Sequence, residues 1–356
     1  MIKRIQVLFV AVCVSVLCSP LAYAAGKLPN VKILATGGTI AGAGVTSTTT
    51  VGYTAAVTAV DKLISNVPEL ARIANVSGEQ ISQIASESMT MEIWLKLAKR
   101  VNQLLASDDV DGVVITHGTD TLEETAYFLN LVVKSKKPVI VVGAMRPGTA
   151  MSADGPLNLY RSVILAGSKD AIGKGVMVML NDTIHASRDV TKTITNRLDT
   201  FKAAEIGPLG FFVGDQPFFY RQSLRKHTAD TEFDVSNMTE LPRVDIVYHY
   251  AGNAGTMIEA ATAAGAKGLV HAGTGDGSIG KAEYPAVEAA LKKGVVVVRS
   301  SRIANGNVSR NGEADDDKYG FIVSDNLNPQ KARILLMLAL TKTTDVKKIQ
   351  ELYLKY

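Results

Sequence analysis

Short all-apolar runs, each closed by a glycine- or hydroxyl-rich loop, restrict this chain more than any other feature. Ile33 to Ala35, Gly112 to Ile115, Val139 to Val142 and Gly175 to Leu180 carry no polar side chain and are too short for core helices. That is the signature of strands buried on both faces. Gln80 to Ala85 adds an alternating strand. Between the runs, Asp61 to Ile73, Glu92 to Leu105, Leu122 to Val133 and Leu157 to Ala166 read as helices, the first with Val60, Leu63, Ile64 and Val67 on its apolar side and a break near Pro68. Strand, loop and helix thus alternate through residue 180, which predicts a mostly parallel sheet flanked by helices.

His185 to Phe219 reads as extended, hairpin-like segments, and residues 221–242 are polar, charged and without period, which suits a linker. A second, smaller α/β unit follows, with strands at Val244–Tyr248, Gly268–Val270 and Val295–Arg299, helices at Thr256–Ala264 and Tyr284–Lys293, and closing helices near Ala332–Leu340 and Asp345–Leu354. The expected organisation is an N-terminal α/β catalytic domain over 25–220 and a C-terminal α/β domain over 243–356.

Residues 1–24 read as a secretory signal peptide: Lys3 and Arg4, an apolar run from Ile5 to Leu17, and Ala22-Tyr23-Ala24 as the cleavage site. That run is too short to span a bilayer comfortably. An exported, periplasmic protein is the expectation. Both cysteines, Cys13 and Cys18, fall in the leader, so the remaining 332 residues contain no thiol. Without Lys3 and Arg4 the formal charge of +4 becomes +2, too small to argue for nucleic acid or an anionic membrane.

Hydroxyl residues collect at the strand ends. Gly37-Gly38-Thr39 ends the first strand, where a glycine pair lets a ligand approach the backbone; the same turn equally suits a Thr that caps a helix. Its glycines match neither a dinucleotide fingerprint nor a phosphate loop. A Gly-, Thr- and Ser-rich loop from Gly42 to Thr54 carries Tyr53 and reads as a lid or a plain surface loop. Ser86 and Glu87 end the second strand, where Ser86, Ser88 or Thr90 could cap the next helix. Thr116-His117-Gly118-Thr119-Asp120-Thr121 ends the third, and capping would use only one of its hydroxyl or acidic residues. Lys192, among threonines, reads locally as a solvated charge, and so does the acidic stretch from Asn311 to Lys318. The five histidines lack metal-ligand spacing, so no metal is expected. No Gly-x-Ser-x-Gly elbow is present. What remains is threonine chemistry, which needs a neighbour such as Lys or Tyr to take the hydroxyl proton.

Here a family resemblance becomes specific. Ala35-Thr36-Gly37-Gly38-Thr39-Ile40-Ala41-Gly42 and Val114-Ile115-Thr116-His117-Gly118-Thr119-Asp120-Thr121-Leu122-Glu123-Glu124 resemble the two signature motifs of bacterial type II L-asparaginases, including the glutaminase-asparaginases. The resemblance runs from Leu28 to Tyr356 and includes Gly143 to Pro147, Ser152 to Gly155 and Lys192. It implies Thr39 as nucleophile with Tyr53 assisting, and Thr119, Asp120 and Lys192 as a second group. Ser86 and Glu87 would hold the α-carboxylate and α-amino ends of asparagine or glutamine, and Asp120 would also contact the amino group. Glu313 resembles an acid that the family supplies from a neighbouring subunit, and the resemblance implies a homo-oligomer, in this family a tetramer. Glu87 and Ser278 stand where asparagine-selective members have Gln and Asn, which points to dual specificity. The spacing before Tyr53 departs by one residue from the asparagine-selective pattern. The competing class is a non-catalytic amino-acid receptor, which would not need a Thr paired with Lys.

Overall fold

The computed structural model describes residues 27–356; the leader at 1–24, with both cysteines, lies outside the described residues. In chain order the first part contains β1 (Asn30–Gly37), α1 (Val60–Ser65), β2 (Asn75–Ile84), α2 (Met91–Leu105), β3 (Gly112–Thr116), α3 (Leu122–Val132), β4 (Val139–Val142), α4 (Gly155–Gly167), β5 (Val176–Leu180), β6 (Thr183–Ala186), β7 (Thr191–Lys192), β8 (Phe201–Lys202), β9 (Gly210–Val213) and β10 (Gln216–Phe219). The second part contains β11 (Val244–Tyr248), α5 (Thr256–Ala263), β12 (Gly268–Gly273), α6 (Tyr284–Lys292), β13 (Val296–Ser301), α7 (Asp316–Tyr319), β14 (Ile322–Val323), α8 (Pro329–Leu340) and α9 (Val346–Lys355). Between β10 and β11 the chain is irregular apart from one 3₁₀ turn, Thr228–Asp230.

The larger sheet has strand order β10-β9-β6-β5-β4-β3-β1-β2. Strands β1 to β5 are parallel to one another, and β6, β9 and β10 join antiparallel. Every residue of β3, β4 and β5 is buried, as their apolar runs require when helices cover both faces. The smaller sheet, β11-β12-β13-β14, is wholly parallel. Helices α3 and α8 pack together between the two sheets, and one hydrophobic cluster runs from Leu129 and Val178 to Leu335 and Val298. α3 has no solvent face for this reason: all its residues except Glu124 are buried.

β1 lies between β2 and β3. The chain leaving β1 therefore pairs first to one side and then to the other, which opens a crevice beyond the carboxyl ends of these strands. The loops carrying Thr39, Ser86 and Thr119 all leave the sheet at that edge.

Two expectations about elements are corrected. The helix read over Asp61 to Ile73 breaks near Pro68 as expected, stopping at Ser65, but beyond the break it is a 3₁₀ turn, Pro68–Arg72, rather than α-helix, because Pro68 supplies no N–H. The acidic stretch is not simply a solvated face, since Asp315 caps the short helix α7 through Lys318 N–H and Asp316 is fully buried.

Candidate active site

Two glycine contacts assemble the site. Gly38 has φ +80°, and a Cβ there would lie 2.2 Å from the N and Cα of Gly118. Only two bare backbones can pass so closely, so the glycine of each motif is required by the other. A Cβ on Gly118 would in turn lie 2.6 Å from Ser86 Oγ, which brings in the end of β2. Ser86 fastens the third loop: its Oγ accepts from Asp120 N–H at 3.1 Å, and its carbonyl accepts from the Thr121 hydroxyl at 2.7 Å. Of the capping alternatives only Thr90 is realised, and it leaves Thr39, Ser86 and Thr121 uncommitted to a helix end. Thr90 caps α2 by accepting from Ile93 N–H, Thr121 makes no side-chain cap on α3, and Thr39 opens a 3₁₀ turn after Gly38 without capping it.

A cavity of about 310 Å³ lies over this crossing, and Thr39, Tyr53, Ser86, Glu87, Thr119, Asp120 and Lys192 all line it. Thr39 Oγ1 and the Tyr53 hydroxyl are 2.7 Å apart. The Tyr53 loop is held at its base by paired bonds between Ala43 and Thr54, and further out by Gly148 N–H to Gly42 O and Met151 N–H to Ser47 O. Asp154 shapes the loop that receives it by accepting from the N–H groups of Met145 and Arg146, each at 2.9 Å. Opposite, Lys192 Nζ donates to Thr119 Oγ1 at 2.9 Å and to Asp120 Oδ1 at 2.7 Å. The lysine side chain is 15% exposed, not the solvated charge of the local reading, whereas that of Asp120 is 60% exposed. Thr119 accepts from Lys192, which leaves its own hydroxyl proton available to a bound molecule.

Residues not singled out from sequence brace the site from behind its lining. Glu123, at the start of α3, is 4% exposed. Its Oε2 accepts from the backbone N–H of Lys192 at 2.6 Å, and its Oε1 accepts from Asn328 Nδ2 at 2.9 Å. Asn328 also donates to Thr191 Oγ1 and caps α8 by accepting from Lys331 N–H. The two-residue strand β7 is thereby clamped from below. The signal for Glu123 was its spacing of three and four from the apolar Ala126 and Tyr127, which puts an acid on the buried face of a helix. Behind the third loop, His117 Nδ1–H donates to Gly118 O, its Nε2 accepts from Thr125, and Thr125 accepts from Trp94 Nε1–H. Burial lowers the His117 pKa to about 4, so this ring is neutral and braces the loop.

Ser278 and Glu313 do not line the cavity. They pair with each other, Ser278 Oγ donating to Glu313 Oε2 at 3.1 Å. Their loops are tied together by Arg299, fully buried on β13, which bonds both Asp316 oxygens at 2.6 and 2.7 Å and the carbonyls of Asp276, Gly277 and Ser309. His249, His271 and Glu283 also converge, outside the cavity, at the carboxyl ends of β11 and β12. Separations of 22 and 12 residues hid this group from a search for ligand spacing.

Comparison with known proteins agrees with this architecture. Residues 30–225 match the family described as Asparaginase, N-terminal, and residues 243–353 match the Glutaminase/Asparaginase C-terminal domain. The chain is 57% identical over 329 residues to L-asparaginase 2 of Bacillus subtilis (strain 168), covering 92% of this chain and 87% of the relative. It is 55% identical over 331 residues to the glutaminase-asparaginase of Pseudomonas fluorescens biotype A, covering 93% and 91%. A crystal structure of a probable cytoplasmic L-asparaginase from Campylobacter jejuni superposes with TM-score 0.89 at 52% identity, covering 92% of this chain and all of that one. With both domain families matched in order and relatives above half identity along nearly the whole chain, the protein belongs to the asparaginase family.

Proposed function

We propose that the protein is an exported amidohydrolase that converts L-asparagine to L-aspartate and ammonia, and L-glutamine to L-glutamate and ammonia. The observation that carries this reading is the meeting, in one cavity, of a Thr–Tyr pair and a Thr–Lys–Asp group. Thr39 Oγ attacks the side-chain amide carbon while Tyr53, 2.7 Å away, receives or relays its proton. The Thr119 hydroxyl, polarised by Lys192, hands a proton to the departing nitrogen, which leaves as ammonia, and the proton that Tyr53 relayed from Thr39 is passed on to restore the Thr119 hydroxyl. Water then cleaves the Thr39 ester, returns a proton to the threonine and releases the acid product. Backbone N–H groups at the Gly38–Thr39 and Gly118–Thr119 turns stabilise the oxyanion.

Ser86 holds the substrate α-carboxylate, and Glu87 with Asp120 holds the α-ammonium group. Ser278 and Glu313 act in the cavity of a neighbouring copy, in a homotetramer whose sites lie between subunits; their position outside their own chain's cavity supports that reading. The apolar run and small residues before Ala24 support export after leader cleavage, giving a mature N-terminal domain to residue 220, a linker over 221–242 and a C-terminal domain beyond it. Glu87 and Ser278 favour dual specificity, because one methylene changes transition-state binding by only about 1–3 kcal/mol in a pocket.

The test is ammonia release from asparagine and glutamine in parallel by the mature protein and by Thr39→Ala. The expectation is comparable turnover of both substrates and a loss of at least about a thousandfold in the variant. Full activity of Thr39→Ala overturns the nucleophile, and a strong asparagine preference overturns dual specificity. Binding of either amino acid without ammonia release by the unmodified protein restores the receptor reading.

A further inference from the structure

We propose that His249, His271 and Glu283 form a binding site for a divalent transition metal of the zinc type in the C-terminal domain. The three side chains come from separate elements. His271 is on β12, His249 follows β11, and Glu283 precedes α6. Parallel pairing of β11 with β12 sets Val247 opposite His271, so the chain two residues later delivers His249 beside it, fixed by His249 N–H to Ala272 O at 3.0 Å. His249 Nδ1, His271 Nε2 and a Glu283 oxygen all lie within 4.8 Å of one another. Two imidazole nitrogens and one carboxylate oxygen suit zinc, copper or nickel rather than the all-oxygen shells of magnesium and calcium.

The carboxylate is oriented for this use. Glu283 is fully buried, its Oε1 accepts from Asn253 Nδ2 at 2.6 Å, and its Oε2 accepts from Gly280 N–H at 2.9 Å. Outer bonds of this kind fix ligating groups in metal sites. His271 Nε2 stands 3.2 Å from both oxygens. Ligands bound tetrahedrally at about 2.1 Å are separated by about 3.4 Å, so this pair is already spaced to hold an ion. His249 Nδ1 is 2.6 Å from Oε2, yet it is buried without an aligned hydrogen bond to any group. Its ring must retreat by about 0.8 Å to accept an ion at those bond lengths, and its side chain is the one of the three with some exposure, 13%. Gly280 makes room for the ring, since a Cβ there would meet His249 Cε1 at 2.7 Å.

The experiment is equilibrium dialysis of the tag-free mature protein against zinc ions, with cobalt absorption as a second readout of the ligand field. One zinc per chain is expected, with a tetrahedral-type cobalt spectrum. His249→Ala and Glu283→Gln should each weaken binding at least about tenfold. Gly280→Ala keeps every ligand and has φ −64°, which alanine tolerates, so it should weaken binding only by displacing His249. His249→Ala at the rim keeps the test open if the buried Glu283→Gln fails to fold. No bound zinc at 100-fold molar excess, or equal binding by the wild type and folded His249→Ala, overturns the site.

Discussion

Glu123→Gln changes one atom and leaves the shape of the residue, yet the surroundings leave no good place for the amide. If its oxygen faces Lys192 N–H, its NH₂ group meets the Asn328 NH₂ that Oε1 now accepts. If it is turned over, the NH₂ meets Lys192 N–H. Asn328 cannot flip to help, because its Oδ1 caps α8 through Lys331 N–H at 3.0 Å and its Nδ2 also serves Thr191. The variant therefore loses one charge-assisted bond and leaves a buried donor unmet, together about 2–4 kcal/mol. The same carboxylate supports the buried Lys331, whose pKa burial lowers to about 8 while Glu123 opposes the shift.

For activity, the consequence is a displaced β7 and a Lys192 ammonium no longer held against Thr119. A misplacement of about 1 Å costs on the order of a hundredfold in rate. Steady-state ammonia release, measured well below the melting temperature, should show kcat down about ten- to a hundredfold with KM changed much less. Urea denaturation should show the stability loss. A variant that melts early but keeps wild-type kcat would sink the claim that Glu123 positions Lys192, since a purely structural role predicts that result.

Gly38→Ala places a Cβ 2.2 Å from Gly118 backbone at φ +80°, so a folded product should lose more than about a hundredfold in kcat; near-native turnover refutes the required glycine crossing. Asp316→Asn leaves Arg299 buried without its counter-charge and should cost about 3–5 kcal/mol by chemical denaturation. A loss under 1 kcal/mol would mean that the pair does not tie the Ser278 and Glu313 loops. Burial lowers His117 and His185 to about 4, against about 6.5 when unfolded. The unfolded chain then binds more protons between those values, so their stabilisation is complete above pH 6.5 and is lost as pH falls towards 4. At pH 4.5 each accounts for about 2.5 kcal/mol, and His185→Leu should shrink the drop in urea midpoint between pH 7 and 4.5 by one such share; an unchanged drop refutes the assignment.

The parallel core was legible because strands buried on both faces have no polar residues to disguise them. β2 was read five residues short for the opposite reason. It is the outermost strand of its sheet, and Asn75, Ser77 and Glu79 are polar where one edge meets water. The two-residue strands β7, β8 and β14 are too short for any period, so β7, which carries Lys192, could be recognised only by family likeness. Thr39 and Thr119 were legible because a backbone crossing demands glycine and leaves a mark in sequence. Glu123 and the His249 group were not, since what matters there is pairing between elements far apart in the chain. Arg299 and Asp316 looked like ordinary charges because each neutralises the other in the core.

Charge inside the cavity makes a further demand on the substrate. Lys192 is already matched by Asp120, while Glu87 forms no ion pair among the described residues. The lining thus carries one carboxylate in excess, and the α-ammonium of a free amino acid is the group that can balance it. N-acetyl-L-asparagine keeps the scissile amide and the α-carboxylate but removes that cation. Losing one charge-assisted contact of about 1.5–3 kcal/mol should lower kcat/KM by about 10- to 150-fold. Because acetylation also adds bulk, the comparison is made in Glu87→Gln as well. There the penalty for N-acetyl-L-asparagine relative to asparagine should shrink about tenfold, since the unbalanced charge is gone. An equal penalty in both proteins would assign the discrimination to size and remove Glu87 from recognition of the amino group.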